Sequence, residues 1–143
     1  MKKILLLSLL GLSTSVFANG AAAELVSARE QVVTQYIQAL ANHDAAAISQ
    51  LFSNDGSVIS TSKGKVAARK FFNDFLPIIS AAHTEVHNLF ASSYVNGVVA
   101  ARFHFDYTID GVTDEGEYID EFIFNPDSTQ LKAVYMFENL HFN

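Results

Sequence analysis

Two periods divide the chain. From Glu24 to Ala41, Leu25, Arg29, Val33, Tyr36 and Leu40 recur at spacings of three and four, which predicts an amphipathic helix with one polar member, Arg29, in its apolar stripe. Asn42-His43-Asp44 interrupts the pattern, and Asp44 suits the N-cap of a short second helix over Ala45–Phe52. Ser53-Asn54-Asp55-Gly56 reads as a turn and Ser57–Ser60 as a short strand. Lys65–Leu76 is again amphipathic, through Ala68, Phe72, Phe75 and Leu76, and Pro77 removes a backbone donor where that helix should end. Beyond Pro77 the period becomes two. The predicted strands are Thr84–Tyr94, Val98–Ile109, Glu117–Asn125 and Leu131–Leu140, joined by turns at Asn96-Gly97, Asp110-Gly111 and Pro126-Asp127-Ser128. Helices first and an antiparallel meander afterwards make an α+β fold, and strands this long imply a strongly curved sheet with the helices on its concave side. A cavity follows between the two layers.

The segment "GEYIDEFIFN" sharpens that picture. Alternation places Tyr118, Asp120, Phe122 and Phe124 on one face, so a carboxylate sits among aromatic rings. An acid in such a position lines a pocket or anchors a helix to the sheet.

Composition narrows the partners. Lys2 and Lys3, the apolar run Ile4–Leu12 and Val16-Phe17-Ala18 have the form of a secretory leader cleaved after Ala18, too short to remain as a membrane span. The expected mature protein is one domain, residues 19–143, periplasmic or secreted. Removing Lys2 and Lys3 leaves seven basic residues against 15 acidic ones, a net charge of −8. That charge disfavours nucleic acid and anionic membranes as partners. There is no cysteine, hence no disulfide. With half of its residues hydrophobic and 12 phenylalanines, the chain has ample material for a core.

With the elements in this order, the sequence resembles the nuclear transport factor 2-like superfamily, in its SnoaL-like and ketosteroid-isomerase-like branch. The resemblance rests on "VVTQYIQALANHDAAAISQLFSNDGSV", "GKVAARKFF", "FHFDY" and "YIDEFIFN", and spans about Ala28 to Phe142. It implies a cone-shaped fold with a ligand cavity. It also implies roles for two residues. Tyr36 falls where the isomerases keep the tyrosine that donates to a developing enolate, and Asp120 where they keep a protonated aspartic acid with the same task. That enzyme is a standard example of an acid held neutral by an apolar site. The isomerase base, a carboxylate at the end of the short strand, is absent. Ser60 stands there, followed by Thr61 and Ser62, and an unactivated hydroxyl does not take a proton from carbon near neutral pH.

Two residues are candidates to replace the base. His87 could face the cavity, and histidine is the residue type whose unperturbed side chain titrates near neutrality. Glu138, in "YMFENLHF", shares parity with Val134, Met136 and Leu140. Phe72, Phe75, Phe103, Phe105, Tyr118 and Phe122 are the expected apolar lining. His83 and His87 have the HxxxH spacing of a metal pair on a helix, but in a strand four residues span about 13 Å, so no metal is expected. His104, opposite in parity to Phe103 and Phe105, belongs on the outer sheet face with Arg102 and Asp106. Asp110, Asp114, Glu115 and Glu117 read as a solvated hairpin turn without calcium-loop spacing. No nucleophile triad, phosphate loop or dinucleotide fingerprint occurs, and no cofactor is expected.

The expected function is binding of a small apolar molecule that carries a carbonyl, enol or phenol oxygen, with isomerase- or lyase-type proton transfer as an extension. The alternative is a non-catalytic protein that uses its outer sheet face for a partner or a homodimer. An open cavity favours the first reading, and a cavity filled by Phe72, Phe75, Phe103 and Phe105 favours the second.

Overall fold

The structure is a computed structural model that describes residues 14–137, with side chains from Gly20 onward. Glu138 and the apolar run Ile4–Leu12 of the expected leader lie outside the described residues. Three helices, α1 (Thr14–Ala41), α2 (Ala45–Leu51) and α3 (Ala68–Phe75), pack on a strongly curved sheet. Its strands are β1 (Phe52–Ser60), β2 (Gly64–Ala67), β3 (Ala81–Ala91), β4 (Val98–Ile109), β5 (Val112–Asp114), β6 (Glu117–Phe124) and β7 (Leu131–Met136). The strand order is β2-β1-β7-β6-β4-β3, with β5 paired to β4. All pairings are antiparallel except β1 with β7, which is parallel. The sheet is therefore mixed where a purely antiparallel one was expected.

The helical stripe packs as its spacing requires. Val33, Tyr36, Ile37 and Leu40 are buried on α1, which lies across β3 and β4. Full burial of such side chains contributes about 1.5–3 kcal/mol each. The polar member of the stripe is buried as well. Arg29 Nε donates to Ser128 O at 2.9 Å and Nη2 to Asn125 O at 3.1 Å, which fastens α1 to the β6–β7 turn. Asp44 caps α2 by accepting from the Ala47 amide at 2.8 Å.

Two expectations fail locally, both because tertiary pairing overrides local pattern. Lys65–Ala67 is strand, not helix: Gly64 turns the chain at φ +65°, and Val66 pairs with Val58. The helix begins only at Ala68. Ser53–Gly56 is likewise part of β1. It forms an irregularity in the β1–β7 register between Phe52 and Ser57, which takes up residues that have no counterpart on β7.

β3 also departs from regular pairing. Val86 opposes Phe103 and Asn88 opposes Arg102, leaving His87 as a bulged extra residue. Inward-facing Val99, Ala101, Phe103 and Phe105 on β4 pack with Phe122 and Phe124 of β6 into one core beneath the helices.

Candidate functional site

The core does not fill the cone. A cavity of about 620 Å³ opens between α1, α3 and the inner faces of β4 and β6. Of the predicted lining, Phe72, Phe75, Phe103, Phe105 and Tyr118 are present around it, joined by Tyr107 from the same inward row of β4. Phe122 is a correction. It is fully buried behind the cavity, edge-on to Tyr36 at 5.0 Å between ring centroids, and supports that ring without lining the space. Phe72 holds Tyr36 from another side, edge-on at 5.7 Å.

Tyr36 and Asp120 both border the cavity, at 0% and 3% exposure. They converge on one space without bonding to each other. The Tyr36 hydroxyl and Asp120 Oδ1 are buried and have no hydrogen-bond partner among the described residues. Burial pushes the Asp120 carboxyl well above the usual carboxylate range. Burial, with the nearby Asp120 charge adding to it, pushes the Tyr36 phenol up too. The floor of the cavity thus favours two protonated oxygens, each able to donate.

The mouth has different chemistry. Tyr107 Oη donates to Asp114 Oδ2 at 2.7 Å, and Asp114 borders the opening. Burial, and then the bond to Asp114, raises the Tyr107 phenol to about 12. Across the opening, the turn Ser60–Lys63 borders the cavity, with Lys63 Nζ 5.5 Å from the centre of the Phe71 ring. Asp114 was expected in a solvated turn; it is exposed, but it also belongs to the cavity rim. Its register was available beforehand, because a two-residue Asp110-Gly111 turn pairs Ile109 with Val112 and therefore Tyr107 with Asp114.

His87 is not part of this site. Its Nε2 is 3.1 Å from Glu117 Oε1 on the outer side of the sheet. His104 joins it there, with Nδ1 3.2 Å from the same Glu117 oxygen and Nε2 2.7 Å from Asp106 Oδ1. Arg102 Nε is 3.5 Å from Glu117 Oε2. No group of three metal-ligating side chains among the described residues is placed to hold an ion.

The profile of the SnoaL-like domain family matches residues 33–136, nearly the whole described fold. The chain belongs to the SnoaL-like family. Its fold recurs in a hypothetical protein of ketosteroid isomerase-like fold from Catenulispora acidiphila, solved in complex with trimethylamine. That protein is 13% identical with a TM-score of 0.64, covering 76% of this chain and 85% of the other. An LEH-like epoxide hydrolase of M. tuberculosis is 10% identical at a TM-score of 0.65, over 78% of this chain and 82% of that one. SalBIII, an epoxide hydrolase/cyclase-like enzyme of pyran ring formation in salinomycin, is 19% identical at 0.64, over 76% and 88%. At these identities the likeness concerns the fold. No curated protein matches the chain.

Proposed function

We propose that the cavity binds a small, largely apolar molecule whose carbonyl, enol or phenol oxygen accepts hydrogen bonds from Tyr36 and Asp120. The observation that carries this reading is a pair of buried oxygens without partners, on two residues that border one cavity. A buried polar group left unsatisfied costs about 1–3 kcal/mol, and a bound acceptor would relieve that cost at both positions. The aromatic walls suit an apolar body, and a volume of about 620 Å³ is in the range of small-molecule sites. The epoxide hydrolase and the cyclase-like enzyme among the structural neighbours support a small-molecule use of this fold.

Isomerase- or lyase-type proton transfer would use the same two donors to hold a developing enolate. Its base is not supplied by His87, which faces outward, nor by Ser60 at the strand end. Among the described lining residues, Asp114 at the mouth is the one carboxylate besides Asp120. We therefore read binding as the primary function, ahead of catalysis. It is also ahead of the rival use of the outer face for a partner or homodimer, because the cavity is open. We read the chain as exported, its leader 1–18 removed; intact-mass measurement of the exported protein should give Asn19 as the first residue.

The binding test is a fluorescence titration with 2-naphthol as the phenol probe. Tyr36→Phe and Asp120→Asn should each weaken binding by about tenfold, the loss of one strong hydrogen bond, with circular dichroism unchanged. Equal affinity in both folded variants and the parent protein would remove the proposed role.

A further inference from the structure

We propose a second ligand site, independent of the first, in the cavity of about 540 Å³ between residues 21–29 of α1, the β3–β4 hairpin and the β6–β7 turn. Its ligand class is a monocarboxylate with an apolar tail, and its anchor is Arg29.

The argument begins with a charge. Arg29 is 5% exposed and borders this cavity, yet both of its hydrogen-bonded partners are backbone carbonyls, of Ser128 and Asn125. Its guanidinium carbon lies 5.3 Å from the centre of the Phe124 ring, which adds a cation–π contact but no countercharge. Buried cations are ordinarily matched by an anion, because desolvation is costly. The two carbonyls occupy the Nε–Nη2 side of the fork. The terminal Nη1–Nη2 edge, the one that takes a carboxylate end-on, is turned towards Gly97: a Cβ there would stand 3.7 Å from each nitrogen. Gly97 carries none, at φ +83°, so no side chain of Gly97 stands over that edge.

The rest of the cavity suits a hydrocarbon. Leu25, Val26, Val98, Val99 and Phe124 border it, with Ser92 and Asn96 at the hairpin. The Ser92 hydroxyl is engaged, accepting from the Tyr94 and Val95 amides at 3.2 and 2.9 Å. Asp127 is the one acid among the described lining residues and is exposed at the rim. It disfavours dianions and ligands with a second acidic group. The tail would therefore lie along the α1 side, away from Asp127, with the carboxylate inward on Arg29. Fastening α1 to the β6–β7 turn accounts for two of the guanidinium bonds; it supplies no countercharge for a buried cation that borders a cavity.

The experiment is calorimetric titration of the purified protein with octanoate, with octanol as the uncharged control. The expected result is saturable binding of one octanoate per chain and at least about tenfold weaker binding of octanol, as loss of a charge-assisted pair implies. Arg29→Met should reduce octanoate binding to the octanol level. Because that change also removes the tie to the β6–β7 turn, Ala22→Trp gives a second test: it fills the cavity from the exposed face of α1 and leaves Arg29 in place. Asp120→Asn should leave octanoate binding unchanged, which separates this site from the larger cavity. The proposal is overturned if octanoate shows no saturable binding, if octanol binds equally well, or if Ala22→Trp binds like the parent. Loss of octanoate binding in Asp120→Asn alone would assign the ligand to the other cavity and equally overturn it.

Discussion

Tyr36 and Asp120 face one cavity from opposite layers of the fold, the phenol from α1 and the carboxyl from β6, and neither bonds to the other. Had they been partners, they would have formed a structural tie between helix and sheet. Left apart, with Phe72 and Phe122 fixing the tyrosine ring edge-on, they are two preset donors awaiting an acceptor. The rigidity comes from the packing. The unmet hydrogen bonds are what the packing sets aside for a ligand.

That arrangement predicts a stability–function trade at Tyr36. Tyr36→Phe keeps the ring and removes an unsatisfied buried hydroxyl, so the unliganded protein should become more stable by about 1 kcal/mol. Urea unfolding measures this directly. The same variant should bind the phenol probe less tightly. A loss of stability would mean that the hydroxyl already has a partner in the free protein.

Asp120 predicts a pH dependence with a definite sign. Its folded-state pKa is raised well above 3.8 by burial, so the folded protein holds a proton that the unfolded chain has released. Its contribution to stability is therefore greatest below about 3.8 and declines as pH rises towards the raised folded value. Asp120→Asn should flatten this part of the profile and raise stability towards neutral pH relative to the parent protein. Unfolding free energy measured from pH 4 to pH 8 in both proteins checks it, and parallel curves would show that Asp120 is not buried as an acid.

Much of this was legible in the chain because burial imposes periodicity. The α1 stripe, the Asp44 cap, the bounds of β4 and the shared face of Tyr118, Asp120, Phe122 and Phe124 all follow from spacing. What spacing could not supply was pairing. Lys65–Ala67 has a helical pattern but finds a strand partner in β1, and parallel pairing of β1 with β7 leaves no local trace. At the site, parity identified the floor but not the depth of each ring, so Phe122 was placed in the lining when it lies behind it. His87 failed for a related reason. Its direction depends on the β3–β4 register, which a bulge at that very residue interrupts.

The irregularity in β1 carries a prediction of its own. A Cβ built on Gly56 would stand 2.8 Å from Phe52 Cβ and Cδ1 and 3.0 Å from Ser53 O, with backbone on one side and a buried ring on the other. Neither can yield cheaply, since Phe52 is 2% exposed. Gly56→Ala should cost about 1–3 kcal/mol, as overpacking does. Chemical denaturation reads the loss, and a neutral substitution would show that the β1 kink relaxes freely.

The outer-face cluster gives the last prediction. His104 presents both ring nitrogens to carboxylates, Nδ1 in a hydrogen bond with Glu117 Oε1 and Nε2 in a close ionic contact with Asp106 Oδ1, an arrangement that favours the doubly protonated ring. The close contact with the Asp106 carboxylate leads in raising the His104 pKa, against partial burial and with help from Glu117. Burial alone would raise Glu117, but the bonds from His104 and His87 outweigh it and hold that carboxyl low. The signs are opposite. The His104 contribution is complete below its unfolded value of 6.5 and is lost as pH rises through the raised folded one. The Glu117 contribution is complete above 4.5 and is lost as pH falls through its lowered folded value. The cluster should therefore stabilise the sheet most between about pH 4.5 and 6.5. Thermal melts across this range, made in an Asp120→Asn background to remove the slope due to that acid, should show His104→Gln losing the alkaline fall and Glu117→Gln losing the acid one. If His104→Gln only shifts the whole profile down without changing its shape, the imidazole is not charged in the folded protein, and Glu117 is held by Arg102 instead.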